Sequence, residues 1–171
     1  GGALYISADC ITQLSDCRFS TNNARVGGYG GGAIYTESEI KLSATNVFEF
    51  VGNESNVNGG AVYATKTIWL DGNVNFNKNV ALKSGGAIYA PNGLVLDGGT
   101  FENNVAKEGF GGAVYVKQTL KKATTSSETT TLFKQNNSIY GGAIAILELE
   151  QNIQINNILF EQNGYVNNGL F

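Results

Sequence analysis

The chain has 171 residues, 42% of them hydrophobic, enough for one domain with a core of its own. Only 15% are charged, with 11 basic against 14 acidic side chains and a formal net charge of -3, so the electrostatic footprint needed for nucleic acid or an anionic bilayer is missing. Histidine is absent, which removes His-dependent nucleophilic triads and most transition-metal sites, and 23 glycines beside a single proline exclude a collagen-like composition.

The chain opens on Gly1-Gly2-Ala3-Leu4-Tyr5, and this segment returns at Gly31, Gly59, Gly85, Gly111 and Gly141. Successive starts are 30, 28, 26, 26 and 30 residues apart. Most copies lead into a short alternating stretch, seen as Ile40-Lys41-Leu42, Ile68-Trp69-Leu70, Leu94-Val95-Leu96 and Ile153-Gln154-Ile155. Then comes a Phe with an Asn three residues later: Phe19/Asn22, Phe50/Asn53, Phe76/Asn79, Phe101/Asn104, Phe133/Asn136 and Phe160/Asn163. Turn residues (Gly, Asn, Asp, Ser) separate the three segments, and no stretch sustains the apolar spacing of a helix.

A fixed period overrides any local reading. Three strands of about five residues with their turns add up to about 25 residues, one solenoid coil per repeat. The predicted fold is therefore all-β, a right-handed single-stranded parallel β-helix of about six coils with three short strands each. Residues 1–171 form a single array, and the hand follows from the rule for parallel crossovers.

In the GGA strand the alternate set Leu4/Ile6, Ile34/Thr36, Val62/Ala64, Ile88/Ala90, Val114/Val116 and Ile144/Ile146 stays apolar almost throughout and is expected to point inward. The other set, including Ala3, Ala33, Ala61, Ala87 and Ala113 with Tyr5, Tyr35, Tyr63, Tyr89 and Tyr115, is expected to face solvent as an outer tyrosine ladder. The Gly-Gly pairs are expected to supply positive φ and close backbone approach. The six Phe should stack as an interior column. The six Asn should form a ladder of side-chain amides at the strand ends.

The alternation of GGA[ILV] with FxxN resembles the polymorphic outer membrane protein repeat, best known from chlamydial autotransporter adhesins, and the resemblance spans essentially the whole chain. It implies a β-helical passenger displayed on the cell surface, contributing to adhesion and tethered by a C-terminal transmembrane β-barrel. This sequence shows neither barrel nor signal segment, and it departs from the chlamydial pattern in having few cysteines and many asparagines, which leaves the lineage open. Beginning on a GGA motif and stopping at Gly169-Leu170-Phe171 without an amphipathic cap, it reads as an excerpt of a longer array.

Little in the sequence suggests catalysis. Asp71 and Asp97 hold the same post-Leu position in adjacent coils, a spacing of about 5 Å that a retaining glycosidase pair would need. Both, however, stand in Leu-Asp-Gly sequences where Asp favours local backbone bonding. The GGYGGG run at Gly27–Gly32 lacks the Lys-Ser/Thr of a phosphate cradle and reads as a turn. Lys117–Thr131 is the clearest insertion and reads as a solvated loop. Asn53-Glu54-Ser55 and Asn136-Asn137-Ser138 match the glycosylation sequon at ladder positions expected to be poorly reachable. Cys10 and Cys17 match neither a zinc pair nor a redox CxxC and leave a disulfide as an open alternative. No apolar run approaches the roughly 20 residues that cross a bilayer, so no direct membrane insertion by this segment is expected.

The leading functional expectation is a non-enzymatic cell-surface or secreted repeat protein, an adhesin or passenger segment, placed on the outer membrane if bacterial. Its partner would be a protein or glycan on another cell, or neighbouring modules of the same assembly, and no cofactor is implied. The alternative is a structural extracellular filament, coat or scaffold; a β-helical polysaccharide lyase or hydrolase stands third. The tyrosine ladder is the candidate binding face.

Overall fold

The computed structural model describes residues 1–10, 12–25, 28–122, 129–148, 153 and 155–165. Every strand pairing in it is parallel, and like residues pair with like. The first sheet stacks Leu4–Ile6, Ile34–Thr36, Val62–Ala64, Ile88–Tyr89, Val114–Val116 and Ile144–Ile146 in chain order. Six strands with five steps between them give a β-solenoid of about five turns. No helix is present among the described residues, and hence none long and apolar enough to cross a membrane.

The other two sheets are grouped differently from the expectation. The IxL segment and the Phe segment were expected as separate strands, but they share one nine-stranded sheet. In the second and third coils they fuse into the continuous strands Ile40–Val51 and Ile68–Asn77. A register shift between Ala44 and Phe48 absorbs the longer segment there, bending the strand where a turn was expected. The Asp16 carboxylate seats that bulge, accepting from the Thr45 and Asn46 amides at 2.9 and 2.8 Å and from the Thr45 hydroxyl. These bonds, the Thr45 hydroxyl first and the Asn46 amide next, hold its pKa down to about 2.

The third sheet follows the ladder asparagine: Asn23–Ala24, Glu54–Ser55, Val80–Ala81, Val105–Phe110, Asn137–Tyr140 and Gly164–Tyr165. Several of these strands are two residues long, too short to show a period in sequence. The predicted strand Ile153-Gln154-Ile155 lies partly outside the described residues, as do 123–128 of the insertion, Gly27, and the terminal Gly169-Leu170-Phe171.

The glycine pairs divide their work. The first glycine of a pair takes the left-handed conformation, as at Gly85 with φ 66°. The second allows backbone contact between coils, since a β-carbon on Gly86 would lie 1.9 Å from the Gly112 carbonyl oxygen. The alanine that follows corrects the expected face assignment. Ala33, Ala61, Ala87 and Ala113 are fully buried in the core cluster. The reason is a repeated bend: the amides of Ala61 and Val62 both donate to the Ala87 carbonyl, so the alternation of faces starts only after the alanine. The same shared carbonyl recurs at Ala33, Ala113 and Ala143.

The interior holds the predicted aromatic column. Phe50, Phe76, Phe101 and Phe133 are fully buried, with ring centroids 4.7, 4.8 and 4.6 Å apart and planes within 4° of parallel. The sheet spacing sets that separation, so stacking follows from register. Phe19, partly buried, and Phe160 extend the stack at 5.1 and 5.4 Å, but Phe160 is 48% exposed and corrects the interior expectation there, since among the described residues no further ring covers it.

The asparagine ladder is continuous from Asn22 through Asn53, Asn79, Asn104 and Asn136 to Asn163. Asn79 shows the scheme. Its Nδ2 donates to Asn104 Oδ1 at 3.0 Å and back to the Phe50 carbonyl at 2.9 Å. Its Oδ1 accepts from the Asn53 backbone amide and from Asn53 Nδ2. One buried amide thus satisfies both donors and both acceptor sites.

The residue just before each ladder asparagine is left-handed in all six coils: Thr21, Gly52, Lys78, Asn103, Gln135 and Gln162, with φ between 53° and 63°. Only one of these is glycine. The conformation turns the chain sharply enough to aim the asparagine inward, and it strains the non-glycine members by about 1 to 2 kcal/mol each.

Two measurements check these assignments. Phe101→Ala leaves a cavity in the column and is expected to lower unfolding free energy by about 3 to 5 kcal/mol in urea titration. At Lys78 the usual strand preference reverses: Lys78→Gly is expected to be more stable than Lys78→Ala by about 0.5 to 1 kcal/mol, because relief of left-handed strain exceeds the chain entropy of glycine. Equal midpoints for the two variants would contradict the left-handed assignment.

Candidate functional site

The tyrosine ladder forms as a stack but not as an open face. Tyr5, Tyr35, Tyr63, Tyr89 and Tyr115 are in register from strand to strand, with centroid distances of 5.6, 5.3, 4.9 and 4.6 Å. The solvent-facing expectation is corrected for most of the row. Tyr35 and Tyr115 are buried at 7% and 6% exposure, Tyr63 and Tyr89 are half-buried, and Tyr5 remains exposed at 59%. Two causes act together. Each ring covers its neighbour, and flanking aromatics close the sides: Tyr29 packs against Tyr35 and Tyr63, and Phe110 against Tyr115 and Tyr140. The open part of the row is its first rung, Tyr5, which lines a cavity of about 740 Å³ with Tyr29, Tyr35, Arg25 and Glu37.

Burial sets the acid–base behaviour of the row. Tyr35 is pushed up to about 12, by desolvation first and then by the charge of Glu37, whose carboxylate accepts its hydroxyl at 3.3 Å. Desolvation also raises Tyr63, Tyr89 and Tyr115.

Asp71 and Asp97 are committed to different partners. Asp71 pairs with Lys41 at 2.6 Å on the surface. Asp97 is buried and accepts the Thr129 hydroxyl at 2.5 Å, and that hydroxyl also receives Lys122 Nζ at 2.9 Å. The backbone around them also differs from a simple pair of turns, since Asp71 lies inside the strand Ile68–Asn77. Among the described residues, no group of three or more His, Cys, Asp or Glu side chains is placed to hold a metal ion.

The remaining sequence features fall into structural places. Gly30 and Gly31 have φ of 121° and 74°, and Gly30 bridges to Asn58, as a turn between coils requires. Asn53 and Asn136, the sequon asparagines, are fully buried with their amides spent in the ladder. Cys10 and Cys17 are both free thiols, Cys10 exposed.

Two positions were not singled out from sequence. Lys122 stands in register with Leu96, in the row where the coils before it carry leucine pointing inward, and is buried at 6%. Trp69 stands in the outward row with Gln13, Lys41, Val95 and Lys121 and is 45% exposed. Each differs from its own row, and a repeat pattern draws attention to what recurs.

Three segments of the chain, residues 48–65, 73–91 and 98–117, match the family model of the Chlamydia polymorphic membrane protein repeat. Each match runs from a Phe strand through the ladder asparagine and the third sheet to the next GGA strand. The chain matches no curated protein and no solved structure.

The raised phenol pKa values carry a signed prediction. The unfolded chain loses tyrosine protons near pH 10 while the folded row retains them. The contribution of the tyrosine row should therefore be constant below about pH 10 and be lost as pH rises toward 12. Tyrosinate absorbance followed alongside the unfolding midpoint checks this, with Tyr35→Phe expected to reduce the slope.

Proposed function

We propose, on the premise that residues 48–117 carry three polymorphic membrane protein repeats, that this chain is a non-enzymatic segment of a cell-surface protein and acts there as an adhesin passenger. The observation that carries the reading is that the matched repeats are continuous with a rod whose ladders run through all six rungs, inside and outside the matched segments. Such a rod presents a long, pre-formed surface at no ordering cost, which suits contact with a partner on another cell. The partner class is a protein or glycan of that cell, and the location is extracellular or on the outer surface.

The chemistry found is consistent with binding. Asp71 and Asp97 are engaged with Lys41 and Thr129, and most of the aromatic row is engaged with itself.

Beads coated with the folded chain should adhere to cultured host cells, saturably with coating density. Beads coated with the heat-unfolded chain should not. Equal adhesion by both coatings, or none by either, would sink the adhesin reading.

A further inference from the structure

A second concavity, of about 700 Å³, lies where the turns leaving the first sheet enter the second. Its wall comes from three successive coils: Asp9 from the first, Glu37, Glu39 and Lys41 from the second, and Lys66 with Trp69 from the third. That volume is within the range of small-molecule sites. Trp69 is the single tryptophan of the chain.

The wall carries charges of both signs, with Lys41 on the same coil as Glu37 and Glu39. Lys41 is aligned with Trp69 across the sheet and reaches Asp71 on the same strand at 2.6 Å, so its charge is matched beside the indole. Lys66 comes three residues before Trp69. The acidic groups Asp9, Glu37 and Glu39 come from the earlier coils. A ligand of either net charge would meet like charges on this wall as well as opposite ones. An uncharged ligand rich in hydroxyls suits such a mixed wall, because carboxylates accept from hydroxyls and ammonium groups donate to them.

We infer that this cavity is a binding site for an uncharged oligosaccharide, with the Trp69 indole as the stacking platform and Asp9, Glu39 and Lys66 as hydroxyl partners. The flat apolar face of a pyranose ring covers an exposed indole and removes both from water, while its rim hydroxyls reach the polar wall. The assignment rests on the surface-contact reading above and names a ligand class and a place for it, distinct from the tyrosine row.

The single tryptophan makes the test direct. The 171-residue chain is screened on an array of defined neutral, sialylated and sulfated oligosaccharides and against a Lys/Arg-rich peptide, and the neutral glycans that bind are titrated by tryptophan emission. Neutral glycans should bind and shift the emission to shorter wavelength as the indole loses water. Trp69→Ala should lower array affinity at least tenfold with the strand circular dichroism unchanged, and Trp69→Phe should retain part of it. The inference is overturned if no neutral glycan binds, if Trp69→Ala binds as the parent does, or if only charged glycans or the peptide bind. Cell adhesion that persists without any glycan binding removes this site but keeps the surface reading. Neutral-glycan binding without cell adhesion does the reverse.

Discussion

Asn53, Asn79, Asn104 and Asn136 each meet four hydrogen-bond demands with one buried side-chain amide, and that constraint fixes the register of the whole rod. A slip of one residue between coils would turn the asparagine outward and leave the amides above and below it without partners in a water-free interior. The aromatic column and the aligned aliphatic rows then follow without further specification, because strands in register bring like side chains to the sheet spacing. The left-handed residue before each asparagine is the strain this arrangement tolerates, and it recurs in every coil.

The repeating skeleton was legible because its parts have no substitutes. Only glycine fits where Gly86 meets the Gly112 carbonyl, and only a flat ring and a side-chain amide fill the Phe and Asn columns in this way. What sequence did not show is set by backbone geometry that leaves no residue pattern. The left-handed position is occupied by Thr, Gly, Lys, Asn and Gln, so no residue type marks it. The third sheet rests on strands as short as Val80–Ala81. The bend that buries Ala61 and Ala87 comes from a shared carbonyl, which the alternation rule does not anticipate.

The candidate sites were less legible than the fold for a related reason. Outward side chains are chosen one at a time, so the tyrosine row, which repeats, stood out, whereas Trp69, which does not, was passed over. Yet repetition is what closes the tyrosine row, since each ring lies on the next. Lys122 is the inverse case: a charged residue in a leucine row, tolerated because Thr129 takes its ammonium beside Asp97.

The unequal coil lengths have an evolutionary consequence. Spacings of 26 to 30 residues are accommodated at places such as the bulge after Ala44 and the register shift between Ala106 and Phe110, leaving the columns undisturbed. A whole winding could be lost or duplicated by recombination and the cut ends would still find matching partners, whereas a one-residue deletion inside a column would not heal. Length of the rod and identity of its outward decoration are thus free to diversify separately, as in a scaffold that changes its reach without relearning how to fold.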